Sequence, residues 1–576
     1  MPETSAQRAL AVSLSARSDD ELAALFAERH VSPSSTWRDM FDAAEALLEP
    51  ASVARGLPAL SRVEADALVG AAAGTPVPAS ARERLVTRAL VADDGIPFPS
   101  VLDAVREASP EGSTDAEPLH RTPLTPESVA AASEAAFTNA ACVADILMQT
   151  LEAPLGRIGT GSLGATERRR LVDAGAVSTS AEADLLVGLA ADVGLLGAND
   201  RAWLVSPEGR EWLRLPTLDR WAHTALALRD ALPRVYRDDD GGWIPTEQWA
   251  QATPFDADSA ERATLWIRRL VRWGLLDAAG HVTPWAEPLS HGGDVDTSAL
   301  RDLLPPEVDR VYLQNDLTAI APGPLAPHLD VRLRAMAARE SRAQASSYRF
   351  SAATIGAAIT SGETADSLRE FLTSISLTGL PQPLAYVIER TSAEHGRVRV
   401  AADPETQLTH VRTDDETLLR SMEVDQSLRS IALNRTDDDE LISHVAADVV
   451  FWALTDAHYP AVAVDADGNP RALERAKLAA GAPPSADPLE IYAPLLQRLR
   501  AGAGDSDAAW LERELDQAVR ARAVVDVTVR LPDGSARVFR LEATGLGGGR
   551  LRGRDRGADV ERTLPLSHID GVALVD

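Results

Sequence analysis

One pattern occurs twice in this chain and constrains its middle third more than any other feature: an amphipathic helix, a Gly-Leu-Leu triplet, a polar turn, an apolar strand and a Ser/Thr-Pro pair. The first copy runs from Ala183–Val193 through Gly194-Leu195-Leu196 to Trp203-Leu204-Val205-Ser206-Pro207. The second runs from Arg262–Trp273 through Gly274-Leu275-Leu276 to His281-Val282-Thr283-Pro284. Glycine supplies the left-handed conformation that stops a helix, so each copy predicts a helix closing at glycine before a small hairpin. Repetition of the whole unit predicts two tandem copies of one supersecondary structure.

Each copy resembles the end of a winged-helix unit, in which the helix before the glycine is the recognition helix. That resemblance implies contact with DNA or with other proteins. Arg168, Arg169 and Arg170 lie on the helix that follows Gly159-Thr160-Gly161-Ser162-Leu163-Gly164, and Arg268, Arg269 and Arg272 lie on the second recognition helix. Guanidinium groups clamp phosphates and stack on bases, which makes both sets candidate nucleic-acid contacts. Arg268 and Arg272 share a helix face at a spacing of four. In an acid-rich chain such arginines can equally be paired with carboxylates. Trp266 and Trp273 are expected in the core.

Punctuation by proline, glycine and polar runs divides the rest. Acids in the first turn and apolar residues at helical spacing mark a helix at Asp19 to Phe26. The polar stretch Ala108 to Ser128 carries four prolines and marks a boundary. The expected architecture is multidomain, mainly α with α+β parts: a helical region over 1–125, winged-helix-like units over 126–215 and 216–304, a mixed α/β accessory domain over 305–402, a helical or α+β extension over 403–500, and a small C-terminal β-barrel over 501–576.

From Pro305 strands and helices alternate. Val311-Tyr312-Leu313-Gln314 with Leu317-Thr318-Ala319-Ile320 reads as a strand, Pro327 to Arg342 as helix and Ser347 to Phe350 as strand. Ser351 and Thr364 cap two helices, and Arg397-Val398-Arg399-Val400 closes the block as a strand. The run Tyr312-Leu313-Gln314-Asn315-Asp316-Leu317-Thr318-Ala319-Ile320-Ala321-Pro322, with Tyr348-Arg349-Phe350-Ser351, Ser361-Gly362, Leu380-Pro381-Gln382-Pro383 and His395 to Val400, resembles the accessory domain at the N-terminal side of XPB-type DNA-repair helicases, which recurs in bacterial helicase-associated proteins. The resemblance covers about 100 residues and implies a duplex-engaging or partner-engaging module.

The motor of such helicases must be found independently. A P-loop needs G-x-x-x-x-G-K-[ST], because its lysine reaches the terminal phosphates. The chain has one lysine, Lys477, in Arg471 to Leu478, which reads as helical and has no preceding glycine loop. Thr436-Asp437-Asp438-Asp439-Glu440 lacks the apolar strand a Walker B motif requires and fits a helix first turn. Asp465-Ala466-Asp467-Gly468-Asn469 lacks the sixth-position glycine and twelfth-position glutamate of an EF-hand and reads as a hairpin turn. Gly159 to Gly164 matches G-x-G-x-x-G, but Pro154 to Ile158 is a poor feeding strand, so a structural turn is expected. Thr160 excludes G-x-S-x-G, and the dispersed histidines exclude H-E-x-x-H. Cys142 is alone and reads as a buried filler. No cofactor, metal or catalytic residue is implied.

The C-terminal section reads as strand and turn after a helix around Trp510 to Arg520. Val524 to Val529 alternates, Pro532-Asp533-Gly534 turns, Ala536 to Leu541 returns and Gly547-Gly548-Gly549 reverses again. The order is similar to the WYL-type domain of bacterial regulators, although the aromatic residues that name that family are missing. Arginines outnumber acids ten to six between Val519 and Leu564, against a net charge of −29 for the whole chain. Arg550, Arg552 and Arg554 alternate along one strand and are further candidate nucleic-acid contacts. Because the global field repels polyanions, any such contact is local. No export or membrane segment is expected, and the compartment is read as cytoplasmic. These features describe a non-catalytic DNA-associated accessory protein of repair or transcription, with DNA as partner and any helicase or ATPase supplied in trans. The alternative is a protein-interaction scaffold or ligand-responsive regulator that does not touch DNA.

Overall fold

The computed structural model describes residues 3–574 apart from 109–122, 160, 343–345, 405, 438, 466–467, 469–470, 472, 474–476, 481–486, 503–510, 512–514, 517 and 532–534. Much of the 108–128 linker, the Pro532-Asp533-Gly534 turn, most of the 465–469 turn and part of the helix expected at 510–520 therefore lie outside the described residues. The described chain is mixed α and α+β, built around five hydrophobic cores.

Short helices fill the first hundred residues. Ser18 accepts from the Glu21 backbone while the Glu21 carboxylate accepts from Ser18, a capping box that starts the helix Asp19–Glu28. The core of this region, Ala6 to Val105, also takes Tyr492, Leu495, Leu496 and Leu499 from the distant helix Pro488–Gly502. The Tyr492 hydroxyl donates to the Val31 carbonyl at 2.7 Å, which pins this late helix to the N-terminal region.

A single apolar core runs from Ala132 to Leu300. Its spine is the 27-residue helix Pro126–Glu152, capped by Thr125, with Cys142 buried on it. Around it lie the helices Ala165–Asp173, Ser180–Asp192 and Ser259–Arg272, and a four-stranded antiparallel sheet ordered Ser162–Leu163, Leu155–Ile158, Ala202–Val205, Leu196–Asn199. Trp273 is fully buried and Trp266 nearly so.

The two sequence copies have matching helix ends. Gly194 and Gly274 take φ of +78° and +68°. The following amides, Leu195 and Leu275, bond back to Ala190 and Leu270 at 2.9 Å each. The Ser206 hydroxyl donates to the Gly194 carbonyl at 2.6 Å and the Thr283 hydroxyl to Gly274 at 2.9 Å. The hairpins differ. The first has two four-residue strands, whereas the strand expected at His281–Thr283 is reduced to one bridge between Leu276 and Val282. The Asp277 carboxylate tightens that turn by accepting from Ala279 and His281 backbone N–H groups at 2.9 Å each.

The third core, Val311 to Ile388, combines a four-stranded antiparallel sheet with three helices capped or opened by Ser351, Thr364 and Pro381. Two expectations are corrected here. The segments 311–314 and 317–320, expected as one strand, are the two arms of a hairpin, Tyr312–Leu313 and Thr318–Ala321, with Leu317 at φ +64°. The helix expected to Arg342 ends at Arg334, and Ala338–Arg342 is a strand, because its backbone pairs with Ser346–Arg349.

The fourth core, Val398 to Ala463, underlies a five-stranded sheet in which only Ala461–Ala463 and Val398–Ala402 pair in parallel. The acidic run expected as a helix first turn is instead part of the hairpin Asn434–Asp437 and Glu440–Ser443, since Glu440 is held across the sheet by His410 and Arg412 at 2.8 and 2.6 Å. Lys477 is exposed in non-helical chain, not in the helix its neighbours suggested; two residues on, the Ala479 N–H donates to Val205 at 2.8 Å. Gly197 accommodates that docking, because a Cβ there would stand 2.5 Å from the Ala479 Cβ.

The last core, Leu511 to Ile569, backs a five-stranded antiparallel sheet. The expected closed barrel is not formed: Val560–Pro565 pairs only with Arg550–Asp555, and Ile569–Leu574 only with Val524–Arg530, leaving both as edges. Among the described residues no helix is long and apolar enough to cross a membrane.

Candidate nucleic-acid interface

The helix Ser180–Asp192 decides the fate of most of the arginines on the two repeats. Thr179 caps it, which places Glu182 in its first turn, Asp184 one step on and Asp192 at its end. Arg168 meets Asp184 at 2.8 Å, Arg272 meets Glu182 at 3.4 Å and Arg269 meets Asp192 at 2.7 Å. One helix thus supplies a carboxylate to three of the six arginines. The helix Ser259–Arg272 does not stand free, because its Arg269 and Arg272 face turns onto the equivalent helix of the first copy.

Arg269 is the most enclosed of these. Its side chain is 12% exposed and its guanidinium lies 5.0 Å from the Trp266 ring. Burial lowers the Arg269 pKa and raises that of Asp192, each shift opposed by the partner's charge. Arg170 is also committed, to the Ala153 carbonyl at 2.8 Å and Glu167 at 3.1 Å. Arg169 and Arg268 are the two exposed members that hold no ion pair among the described residues. Thr264 and Leu265 share the exposed surface near Arg268.

Two cations that the sequence reading passed over lie on the first copy's sheet. Gly156 pairs with Ala202, which brings the turn containing Gly159 and Gly161 beside the hairpin tip at Asp200-Arg201. The glycines take φ of +49° and +111°, so this part of the G-x-G-x-x-G match is a hairpin turn. Arg157 stacks on Trp203 at 4.3 Å and Arg201 is exposed. Arg157-Ile158 before the glycines was the available signal, since strand alternation sets Arg157 beside the cross-strand tryptophan.

In the C-terminal sheet, strand alternation buries Leu551, Gly553 and Asp555 and exposes Arg550, Arg552 and Arg554 on one face. Arg554 is paired with Asp559 at 2.8 Å. Arg550 and Arg552 stand opposite Gly547 and Gly545 on one side and Pro565 and Thr563 on the other, with no carboxylate among those cross-strand neighbours. This end of the sheet is therefore locally positive. A third basic strip, Arg397, Arg399 and Arg412, faces a polar cavity of 660 Å³, but Asp403, Asp414, Asp439 and Asp465 line the same cavity and offset it.

The arginine sets are separate in the fold. The repeat arginines belong to the second core region and Arg550 and Arg552 to the fifth. Among the described residues no cluster of three or more His, Cys, Asp or Glu side chains could hold a metal ion.

Residues 311–437 match a family described as helicase conserved C-terminal domain. The matched stretch takes in the third core and most of the sheet over the fourth. No curated protein matches the chain. The chain is therefore helicase-related through this domain, a relation compatible with nucleic-acid interaction.

Proposed function

We propose that this chain is a DNA-associated accessory protein that acts by binding, in repair or transcription, in the cytoplasm and without a P-loop ATPase of its own. The observation that carries the reading is a helicase-domain match over 311–437 in a chain whose one lysine, Lys477, lies exposed in irregular chain with no glycine loop before it. A phosphate loop places its lysine between a strand and a helix, with the loop amides around the anion. ATP hydrolysis, where the process needs it, comes from a helicase or ATPase acting in trans. In this reading the matched segment is the XPB-type accessory module, the two repeats are winged-helix units and the terminal sheet is the WYL-like element.

Contacts are assigned to the cations that retain free charge. Arg169, Arg268, Arg550 and Arg552 are the principal ones, with Arg157 and Arg201 at the first sheet's tip. Arg168, Arg170, Arg269, Arg272 and Arg554 serve first as ion-pair partners and contribute to DNA only by exchanging a carboxylate for a phosphate. The test is binding of the full chain to single-stranded, duplex and forked DNA across a salt series. Saturable binding that weakens with salt supports the reading, and no binding at low salt overturns it.

A second reading, a scaffold or ligand-responsive regulator without direct DNA contact, is favoured by one specific observation. The Ser180–Asp192 helix neutralises three of the six repeat arginines internally. The same titration separates the two.

A further inference from the structure

The hairpin of Leu196–Asn199 and Ala202–Val205 in the first repeat has two faces, covered by different parts of the chain. Leu196 and Val205 stand opposite one another and belong to the second core. Gly197 and Leu204 are the next opposed pair, so they face the other way. Leu204 is nonetheless only 5% exposed. Residues 477–480 run across this outer face. The Ala479 N–H donates to the Val205 carbonyl at 2.8 Å, Ala479 is buried and Leu478 is half-buried against the second core. Before them, the Arg471 N–H donates to the Ala463 carbonyl at 2.7 Å and Leu473 packs on the fourth core. After them, the helix Pro488–Gly502 is fixed to the N-terminal core by Tyr492, Leu495, Leu496 and Leu499.

The two repeats differ at the residue that meets this strap. Gly194-Leu195-Leu196 is followed by Gly197, whereas Gly274-Leu275-Leu276 is followed by Asp277, whose carboxylate closes its own turn. Gly197 lies inside a strand without a positive φ, so its backbone does not require glycine. The space does, because a Cβ there would stand 2.5 Å from the Ala479 Cβ and 3.9 Å from the Ala480 carbonyl oxygen. The contact is small. Among the described residues one backbone hydrogen bond, one buried alanine and one half-buried leucine hold it. A segment with so few apolar contacts opens at lower free energy than the cores beside it. Because both of its ends are anchored, a released strap stays at high effective concentration and docks again.

We propose that residues 477–480 are a reversible latch between the fourth core and the first repeat. Its opening uncovers Leu204 and the Val205 carbonyl while both neighbouring cores stay folded. The device is independent of DNA binding.

The chain's one lysine supplies the test. Lys477 is exposed at the head of the latch, and a lysine-specific endoprotease has only the Lys477–Leu478 bond to cut. That bond enters a protease when Leu478 and Ala479 lift, so the cleavage rate of the full chain follows the open population. Gly197→Ala sets a methyl group against Ala479 and is expected to raise the rate by about tenfold. Adding Ala479→Gly removes the opposing methyl and is expected to bring the rate back toward that of the wild type. A Gly197→Ala rate equal to the wild type, or no recovery in the double variant, overturns the proposal. Hydrogen exchange of the wild-type chain needs no substitution. The Ala479 amide is expected to exchange about tenfold or more slower than in a free peptide of residues 476–482, yet well before the Leu147 amide of the long helix. Exchange at the free-peptide rate would mean that the segment does not dock, and exchange together with Leu147 that it does not open by itself. Either result also overturns the latch.

Discussion

Arg269 on the second repeat's helix sits 2.7 Å from Asp192 on the first repeat's helix, in an ion pair most of whose cationic side is buried. The two repeats are coupled there rather than strung side by side. Arg269→Ala leaves Asp192 without its counter-charge and is expected to lower stability by about 2 kcal/mol. In a double-mutant cycle with Asp192→Ala, chemical denaturation should show a coupling of about 1 kcal/mol. Additive losses would mean that the pair does not link the helices.

The repeat glycines are not equally replaceable. Both hold positive φ, so alanine at either costs about 1 kcal/mol for the left-handed backbone. A Cβ at Gly194 meets only Glu208 Oε2 at 3.6 Å, whereas one at Gly274 would stand 2.4 Å from the Ala132 carbonyl of the long helix. Gly274→Ala is expected to lose about 3 kcal/mol, clearly more than Gly194→Ala, in thermal or denaturant unfolding.

Acid should loosen the second repeat's turn. Burial opposes ionisation of Asp277, but hydrogen bonds from the His281 side chain and from the His281 and Ala279 backbone N–H groups outweigh it and hold the carboxyl below its usual pKa. A group with a depressed folded pKa stabilises the native state above its unfolded pKa of about 4, and that contribution is lost as pH falls through the folded value. Asp277→Asn removes the contribution at neutral pH. The difference in unfolding free energy between wild type and variant is expected to shrink as the pH is lowered from 6 to about 3.

Arg550 and Arg552 face solvent with no carboxylate opposite them in the sheet. If each contacts one phosphate, the double change to alanine reduces the slope of log affinity against log salt by about 2 and weakens all DNA sequences alike. Arg269→Ala, by contrast, should change stability without moving that slope. Fluorescence anisotropy over a salt series reads both.

Local chemistry was well written in the sequence. Ser351 and Thr364 announce their helices because a side-chain oxygen before a helical run satisfies backbone donors that nothing else nearby can reach. The repeated glycine and Ser/Thr-Pro pairs mark matching helix ends because glycine takes the left-handed φ and the hydroxyl donates to its carbonyl. The misses share a cause of opposite kind. Ala338–Arg342 and Asn434–Asp437 are strands because each pairs with the strand that follows it, which is itself held by Thr318–Ala321 or Thr409–Arg412, and their polar composition carries no helical or strand signature of its own. The C-terminal strands were legible by alternation, but whether their two edges meet depends on sheet geometry that alternation does not encode.

Charge divides along the same line. Sequence alone determined that the chain carries one lysine, a net charge of −29 and an arginine-rich C-terminal segment, because these are sums over residues and do not depend on folding. It also determined which arginines share a helix or strand face, since periodicity fixes that. Only the tertiary structure decided which of them are spent. Arg168, Arg269 and Arg272 meet carboxylates on a neighbouring helix, whereas Arg169, Arg268, Arg550 and Arg552 are exposed and hold no ion pair among the described residues. Ion pairs form within a few ångströms, and residues tens of positions apart reach that distance only when helices and strands pack.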